Sequence, residues 1–90
     1  MTREKTWTVD IYVDEHTDER RTRAEARLHT NDTTVLRATG EARRHPADSE
    51  VPEIGDELAV ARALFDLAHQ LLLAAALDVA KGRAGGRLSI

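Results

Sequence analysis

Three segments in the N-terminal half of the chain alternate between apolar and polar residues. Residues 6–13 read TWTVDIYV, which places Trp7, Val9, Ile11 and Val13 on one face of a predicted strand. Residues 22–29 and 35–44 alternate in the same way, but their inward positions hold mostly Ala and Gly. The links between the segments are polar and contain the turn-forming residues Asp, Asn and Thr. This order predicts a three-stranded antiparallel meander.

The C-terminal half changes to a helical period. Apolar residues recur three and four positions apart, which predicts one long helix over residues 56–80. We expect one stripe of that helix to lie on the sheet, namely Leu58, Ala61, Leu64, Phe65, Ala68, Leu71, Leu72, Ala75 and Val79. Asp56 is the predicted N-cap, and Gly82 is expected to end the helix and begin a mobile tail over residues 82–90. The predicted fold class is α+β, a single βββα domain over residues 1–90.

The predicted helix carries more apolar surface than one sheet can bury. It would be about 37 Å long, whereas an eight-residue strand spans about 27 Å, so its C-terminal part is expected to extend beyond the sheet. Either a kink that folds this part back or self-association would hide the surplus surface. We favour a homodimer, and the possible dimer contacts are Leu67, Leu71, Ala74 and Leu77.

Arginines concentrate in the middle of the chain. The formal net charge is −3, but residues 20–44 hold seven basic and three acidic residues, a local charge of +4. Four of these basic residues share one face of the second and third predicted strands and could contact phosphates, namely Arg23, Arg27, Arg37 and Arg43. Glu25 and Glu41 lie among them, so cross-strand ion pairing on a solvated face is the alternative interpretation.

Signatures of catalysis and metal binding are weak. The chain has no cysteine, which excludes disulfides, thiolate metal sites and cysteine nucleophiles. It contains no phosphate-binding loop, dinucleotide fingerprint, nucleophile elbow or zinc pattern. The segment DEHTDE around His16 could hold a hard metal ion, but it lacks the ligand spacing of a calcium loop and is interpreted as a solvated acidic hairpin. We expect no enzymatic activity, no cofactor and no small-molecule substrate.

The N-terminus and the apolar runs indicate a cytoplasmic protein without membrane contact. The first ten residues, MTREKTWTVD, have no apolar core of the signal-peptide type. The longest uninterrupted apolar run, from Leu71 to Leu77, is too short to cross a bilayer.

Five segments resemble a known family when they are taken together and in order. They are WTVDI at 7–11, DEH at 14–16, TRAEARL at 22–28, HPAD at 45–48 and VPEIGDELAVARALFDL at 51–67. Over about residues 7–72 the chain resembles a family of small actinobacterial proteins of unknown function. That resemblance implies a homodimer and a fold like that of double-stranded-RNA-binding domains. One member of the family is strongly induced in dormancy and is likened to ribosome hibernation factors.

The residues modify what the resemblance implies about RNA. A typical double-stranded-RNA-binding domain carries lysines at the N-terminus of its C-terminal helix, where they hold phosphates. Here Glu53, Asp56 and Glu57 occupy that place, which disfavours the usual mode of duplex binding. The leading hypothesis is a non-catalytic, homodimeric stress or dormancy protein that associates with ribosomes or structured RNA through its arginine-rich sheet face. The alternative is a protein–protein interaction module without a nucleic-acid role.

Overall fold

Three strands are followed by one helix in the computed structural model, which describes residues 2–31, 33–44 and 52–84. The strands are β1 (Trp7–His16), β2 (Arg21–Thr30) and β3 (Thr33–Arg43), and the helix is α1 (Pro52–Ala84). The sheet order is β1-β2-β3, and both neighbouring pairs are antiparallel. This is the predicted βββα arrangement, so the fold class is confirmed.

Two residues with left-handed backbone conformation lie in the links between strands. Arg20 (φ 52°) follows a single 3-10 turn, Thr17–Glu19, and donates its backbone N–H to the carbonyl oxygen of Thr17 at 3.2 Å. Asn31 (φ 51°) directly follows β2, and asparagine adopts this conformation more readily than most residues do. Because β1 extends to His16, most of the acidic segment DEHTDE is strand and tight turn.

The two faces of the sheet are those that the alternation predicts. Val9 lies opposite Leu28, and Ala26 lies opposite Ala38, on the face towards α1. The register shifts once, because Leu28 pairs with Leu36 whereas His29 pairs with Thr34. Val35 is therefore the extra residue of a β-bulge.

The helix and the sheet approach each other closely at Gly40. A Cβ atom on Gly40 would lie 2.5 Å from the carbonyl oxygen of Ala59 and 2.7 Å from Cβ of Arg62. Any side chain at this position would therefore overlap the helix backbone. The core around this contact consists mostly of alanines, and its buried apolar residues are Ala24, Ala26, Leu28, Ala38, Ala42, Ala59, Ala63 and Leu67.

Two side chains of α1 bind the outer edge of β3. Arg62 Nη1 donates to the carbonyl oxygen of Glu41 at 2.6 Å, and Gln70 Nε2 donates to that of Arg37 at 2.8 Å. These bonds hold the helix over β3 and β2 and occupy carbonyl groups that an edge strand otherwise presents to other chains. β1, at the other edge, is exposed along its whole length.

The helix begins four residues before its predicted start. Pro52 opens it, in the first turn where the missing N–H of proline removes no helical hydrogen bond. Asp56 therefore lies in the second turn and is not the N-cap, so that prediction is wrong. At the other end the helix continues through Gly82 to Ala84, and the rest of the predicted tail, residues 85–90, lies outside the described residues.

The side of α1 that lies on the sheet is opposite to the predicted one. Ala59, Ala63 and Leu67 are buried there. Most of the predicted sheet-facing stripe is exposed instead, and the exposed fractions of Phe65 and Leu72 are 79% and 71%. The physical reason is size, because a sheet face of Ala and Gly allows a close approach that alanines fit and a phenylalanine does not.

The four residues predicted for a dimer contact differ in how far they are buried within their own chain. Leu67 is buried in the core of its own chain, and Leu71 packs against that core. Ala74 is half-buried, and Leu77 is exposed. Leu67 is thus not accessible to a second copy, and the prediction is corrected for this residue.

Candidate functional site

The sheet face that points away from α1 carries most of the charged residues of the three strands. We call it the open sheet face, and its charged residues and histidines between Asp10 and Arg43 are Asp10, Asp14, His16, Arg21, Arg23, Glu25, Arg27, His29, Arg37, Glu41 and Arg43. Strand alternation and register bring Arg23, Arg27, Arg37 and Arg43 onto this one face, as expected from the sequence. Their environments differ.

Arg21 is held between two carboxylates. Its Nη1 lies 2.9 Å from Glu41 Oε1 on β3, and its Nη2 lies 2.9 Å from Glu19 Oε2 in the turn before β2. This pair ties β2 to β3 and neutralises Glu41. The alternation of residues in the sequence does not indicate this role of Arg21.

Arg27 belongs to a cluster with Glu25 and Tyr12. Its Nε donates to Glu25 Oε1 at 2.9 Å, and its Nη2 lies 2.7 Å from the same oxygen. The guanidinium carbon lies 4.3 Å from the centre of the Tyr12 ring, a cation–π contact between β2 and β1. The hydrogen bond to Glu25 raises the pKa of Arg27 above its ordinary value, so the group stays a cation. Arg27 therefore holds Glu25 and Tyr12 in place and is not a free positive charge.

Arg23, Arg37 and Arg43 form the remaining positive group of β2 and β3. All three are exposed, and none has an ion pair within residues 2–31, 33–44 and 52–84. The two carboxylates on the same face of these strands, Glu25 and Glu41, are already bound by Arg27 and Arg21. The three arginines are thus the charges of β2 and β3 that no neighbour on these strands neutralises.

A histidine links all three strands at the β-bulge. His29 Nδ1 lies 2.9 Å from the Thr34 hydroxyl oxygen, and its Nε2 lies 2.9 Å from Asp10 Oδ2. The second contact has the distance of an ion pair but not the alignment of a hydrogen bond, since Nε2 has no hydrogen-bond partner among the described residues. A hydroxyl, an imidazole and a carboxylate are thus adjacent, without the base-to-carboxylate bond of a catalytic triad. Only the register brings them together, and the spacing in sequence gives no sign of it.

The acidic segment around His16 and the acidic start of α1 do not form a metal site among the described residues. His16 and the neighbouring Glu15, Asp18 and Glu19 line a shallow, open depression at the β1–β2 turn. No three metal-binding side chains within the described ranges are placed to share one ion. Glu53 lies in the first turn of α1, where a carboxylate interacts favourably with the helix dipole.

The side of α1 that faces away from the sheet is a large apolar surface. Besides Phe65 and Leu72, it exposes Leu58 and Val79. The segment Glu53–Gly82 has the length and mean hydropathy that would suffice to cross a membrane, a criterion that core helices of soluble proteins also meet. This segment is longer than the apolar run Leu71–Leu77, whose length alone predicts no membrane-spanning helix. Little of it is buried within the chain, so most of its apolar side chains are available to a partner.

Comparisons with known proteins agree with one another. Residues 5–87 match the Rv2632c-like family. Uncharacterized protein Mb1767 of Mycobacterium bovis is 52% identical over 73 residues, which cover 81% of this chain and 74% of that protein. Uncharacterized protein Rv2632c of Mycobacterium tuberculosis is 47% identical over 75 residues, which cover 83% and 77%.

A solved structure shows the same architecture. The crystal structure of Rv2632c aligns with a TM-score of 0.78 at 43% sequence identity, and the alignment covers 90% of this chain and 93% of that chain. The family match and the structural alignment thus both extend over most of this chain. The chain belongs to the Rv2632c-like family.

Proposed function

We propose that this protein is a non-catalytic, homodimeric, cytoplasmic binding protein that associates with ribosomes or structured RNA through its open sheet face. The observation that carries the proposal is the group formed by Arg23, Arg37 and Arg43, which are exposed and have no ion pair within the described ranges. A guanidinium group offers several N–H donors in a planar fork that matches phosphate oxygens. Such contacts would bind the RNA backbone and not a particular sequence. The link to stress or dormancy rests on the family resemblance alone.

Electrostatics favour the sheet over the helix as the RNA-binding element. Glu53, Asp56 and Glu57 lie in the first two turns of α1, where a phosphate would meet their negative charges. On β2 and β3, by contrast, Arg21 and Arg27 bind the neighbouring carboxylates and leave the other three arginines available. The strands also hold these arginines on a rigid element, which lowers the entropic cost of binding.

The arrangement of His29 supports a non-catalytic role. Its neighbours Thr34 and Asp10 are the types of residue found in nucleophilic catalysis. The imidazole Nε2 is not aligned for a hydrogen bond to the Asp10 carboxylate, and that carboxylate is more than half exposed to solvent. The contacts instead connect β1, β2 and β3 next to the β-bulge.

The triple variant R23Q/R37Q/R43Q tests the RNA proposal. Filter binding to purified ribosomal RNA over a series of salt concentrations should give a binding constant that falls steeply with salt for the unmodified protein. If each arginine neutralises one phosphate, the triple variant should reduce the slope of log K against log salt by about 2.7 per protomer. Glutamine keeps the polar character and approximate length of the side chain but removes the charge.

The matched control is R3Q/K5Q/K81Q, which removes the same net charge from positions outside the strands. This variant should keep most of the slope. Absence of salt-sensitive binding by the unmodified protein, or an equal loss in both variants, would contradict the proposal.

Charge distribution favours a second candidate, a protein–protein interaction module. The open sheet face changes sign across its width, because Asp10 and Asp14 lie on β1 whereas Arg37 and Arg43 lie on β3. A folded protein can carry a complementary polarised surface, and an RNA backbone cannot. A protein recovered with this chain after nuclease treatment, and lost when Asp10 and Asp14 are replaced by lysine, would support this candidate over RNA.

A further inference from the structure

The apolar outer side of α1 has the period of a helix–helix interface. Between Leu58 and Gly82 its positions alternate between spacings of three and four, the pattern of a heptad repeat. Large residues occupy one position of each heptad, namely Leu58, Phe65, Leu72 and Val79. Small residues occupy the other position, namely Ala61, Ala68, Ala75 and Gly82. We call these eight residues the helix seam.

The helix seam does not belong to the hydrophobic core of its own chain. Its four large residues are all exposed, and so are its three alanines. The sheet is contacted by the opposite side of the helix, through Ala59, Ala63 and Leu67. A contiguous apolar surface of this length is rare on a monomeric soluble protein and marks an interaction site.

We infer that the helix seam binds the helix seam of a second copy, as an antiparallel pair whose two-fold axis crosses α1 at the level of Gln70, on the side away from the sheet. In an antiparallel pair the two seam positions of the heptad share each layer. With the axis at Gln70, each large residue faces a small one of the other copy: Leu58 faces Gly82, Phe65 faces Ala75, Leu72 faces Ala68 and Val79 faces Ala61. Every layer then has one large side chain, which gives even packing along the contact. This inference rests on the homodimer in the proposed function and specifies its geometry.

A parallel pair fits the same residues poorly. Each residue would then face its own copy, so layers with two large side chains would alternate with layers of two alanines. The first kind would be overfilled and the second would leave voids, and both are destabilising. The alternation of large and small residues therefore favours the antiparallel orientation.

A second copy fits the helix seam better than other occupants do. A lipid surface would use the apolar character of the helix but not the regular alternation in residue size. An antiparallel pairing of two β1 strands centred on Tyr12 would place Asp10 opposite Asp14 of the other copy, and like charges on adjacent strands are destabilising. Contact through the helix seam is isologous, so it closes at two copies and leaves both open sheet faces outside.

Engineered cysteines test this geometry, because the natural chain has none. Ala61 and Val79 face each other across the proposed interface, and both are exposed in the single chain. Within one chain they lie about 27 Å apart along the helix, which excludes an internal disulfide. Under mild oxidation the double variant A61C/V79C should shift almost completely to a covalent dimer. The single variants A61C and V79C should stay uncrosslinked, since each residue is about 27 Å from its own copy.

The possible outcomes distinguish a dimer with a different geometry from the absence of a dimer. A dimer in sedimentation that does not crosslink in A61C/V79C, or that crosslinks in a single variant, would overturn the antiparallel seam but leave the homodimer in place. A monomer would overturn both. A monomer that floats with phosphatidylglycerol vesicles, and loses this binding in the variant L72E, would identify a lipid surface as the occupant instead.

Discussion

Replacing Gly40 by alanine is expected to lower the free energy of unfolding by about 3 kcal/mol, because the new methyl group overpacks the contact between β3 and α1. The added Cβ would meet the backbone of Ala59 and the Cβ of Arg62, atoms that can move only if the helix moves. In an uncrowded strand the same change would stabilise the protein by about 0.5–1 kcal/mol. Urea denaturation at one fixed protein concentration measures the difference, since the proposed dimerisation would make stability depend on concentration.

Gly55 provides the matched control. A Cβ at Gly55 would approach Thr22 Oγ1 at 3.0 Å, and that hydroxyl belongs to a side chain that can rotate. Gly55 lies within α1, where alanine is favoured over glycine by about 0.8–1 kcal/mol. We therefore expect G55A to be at least as stable as the natural protein. Equal stabilities for G40A and G55A would contradict the close approach at Gly40.

Replacing Leu72 by glutamate is expected to weaken the proposed homodimer roughly thousandfold. Leu72 lies beside the proposed two-fold axis, so the substitution removes a leucine from both central layers. Loss of about 2 kcal/mol of burial from each copy gives about 4 kcal/mol, or a factor of about a thousand in Kd, before the cost of burying two carboxylates. Sedimentation equilibrium over a range of protein concentrations measures this change.

Leu77 is the control for Leu72. It is the same residue type with a similar exposed fraction, 66% against 71%, but it lies one heptad beyond Gln70, on the side of α1 that contacts the sheet. L77E should therefore leave the dissociation constant unchanged. If L77E separates the copies and L72E does not, the dimer uses the side of the helix that the sequence alone suggested.

Periodicity predicts the elements of this fold, but residue size decides how they pack. The alternation of Val9, Ile11 and Ala26 assigns the sheet faces correctly. The helix has two apolar sides, and hydrophobicity alone favours the larger one, with Phe65, as the side that meets the sheet. The close approach at Gly40 selects the alanine side instead. That preference depends on distances between helix and sheet, which no local pattern contains.

The candidate site, too, is predicted only in part by the sequence. Strand alternation predicts that Arg23, Arg27, Arg37 and Arg43 share one face, and the register bears this out. Which arginines are already bound is a property of the tertiary structure, since Arg27 meets Tyr12 of another strand. The contact between His29 and Thr34 depends on the β-bulge at Val35, and the sequence around it carries no bulge signal such as glycine.

RNA binding by this protein is tested most directly by a titration of ¹⁵N-labelled protein with a short A-form RNA duplex, followed by NMR through the side-chain Nε–H signals of the arginines. Binding through the open sheet face predicts that the signals of Arg23, Arg37 and Arg43 shift together and saturate, and that added salt reverses the shifts. The signals of Arg21 and Arg27 should move less, because carboxylates already bind them. Shifts confined to Arg62 on α1, or no shift in any arginine, would contradict binding through the open sheet face.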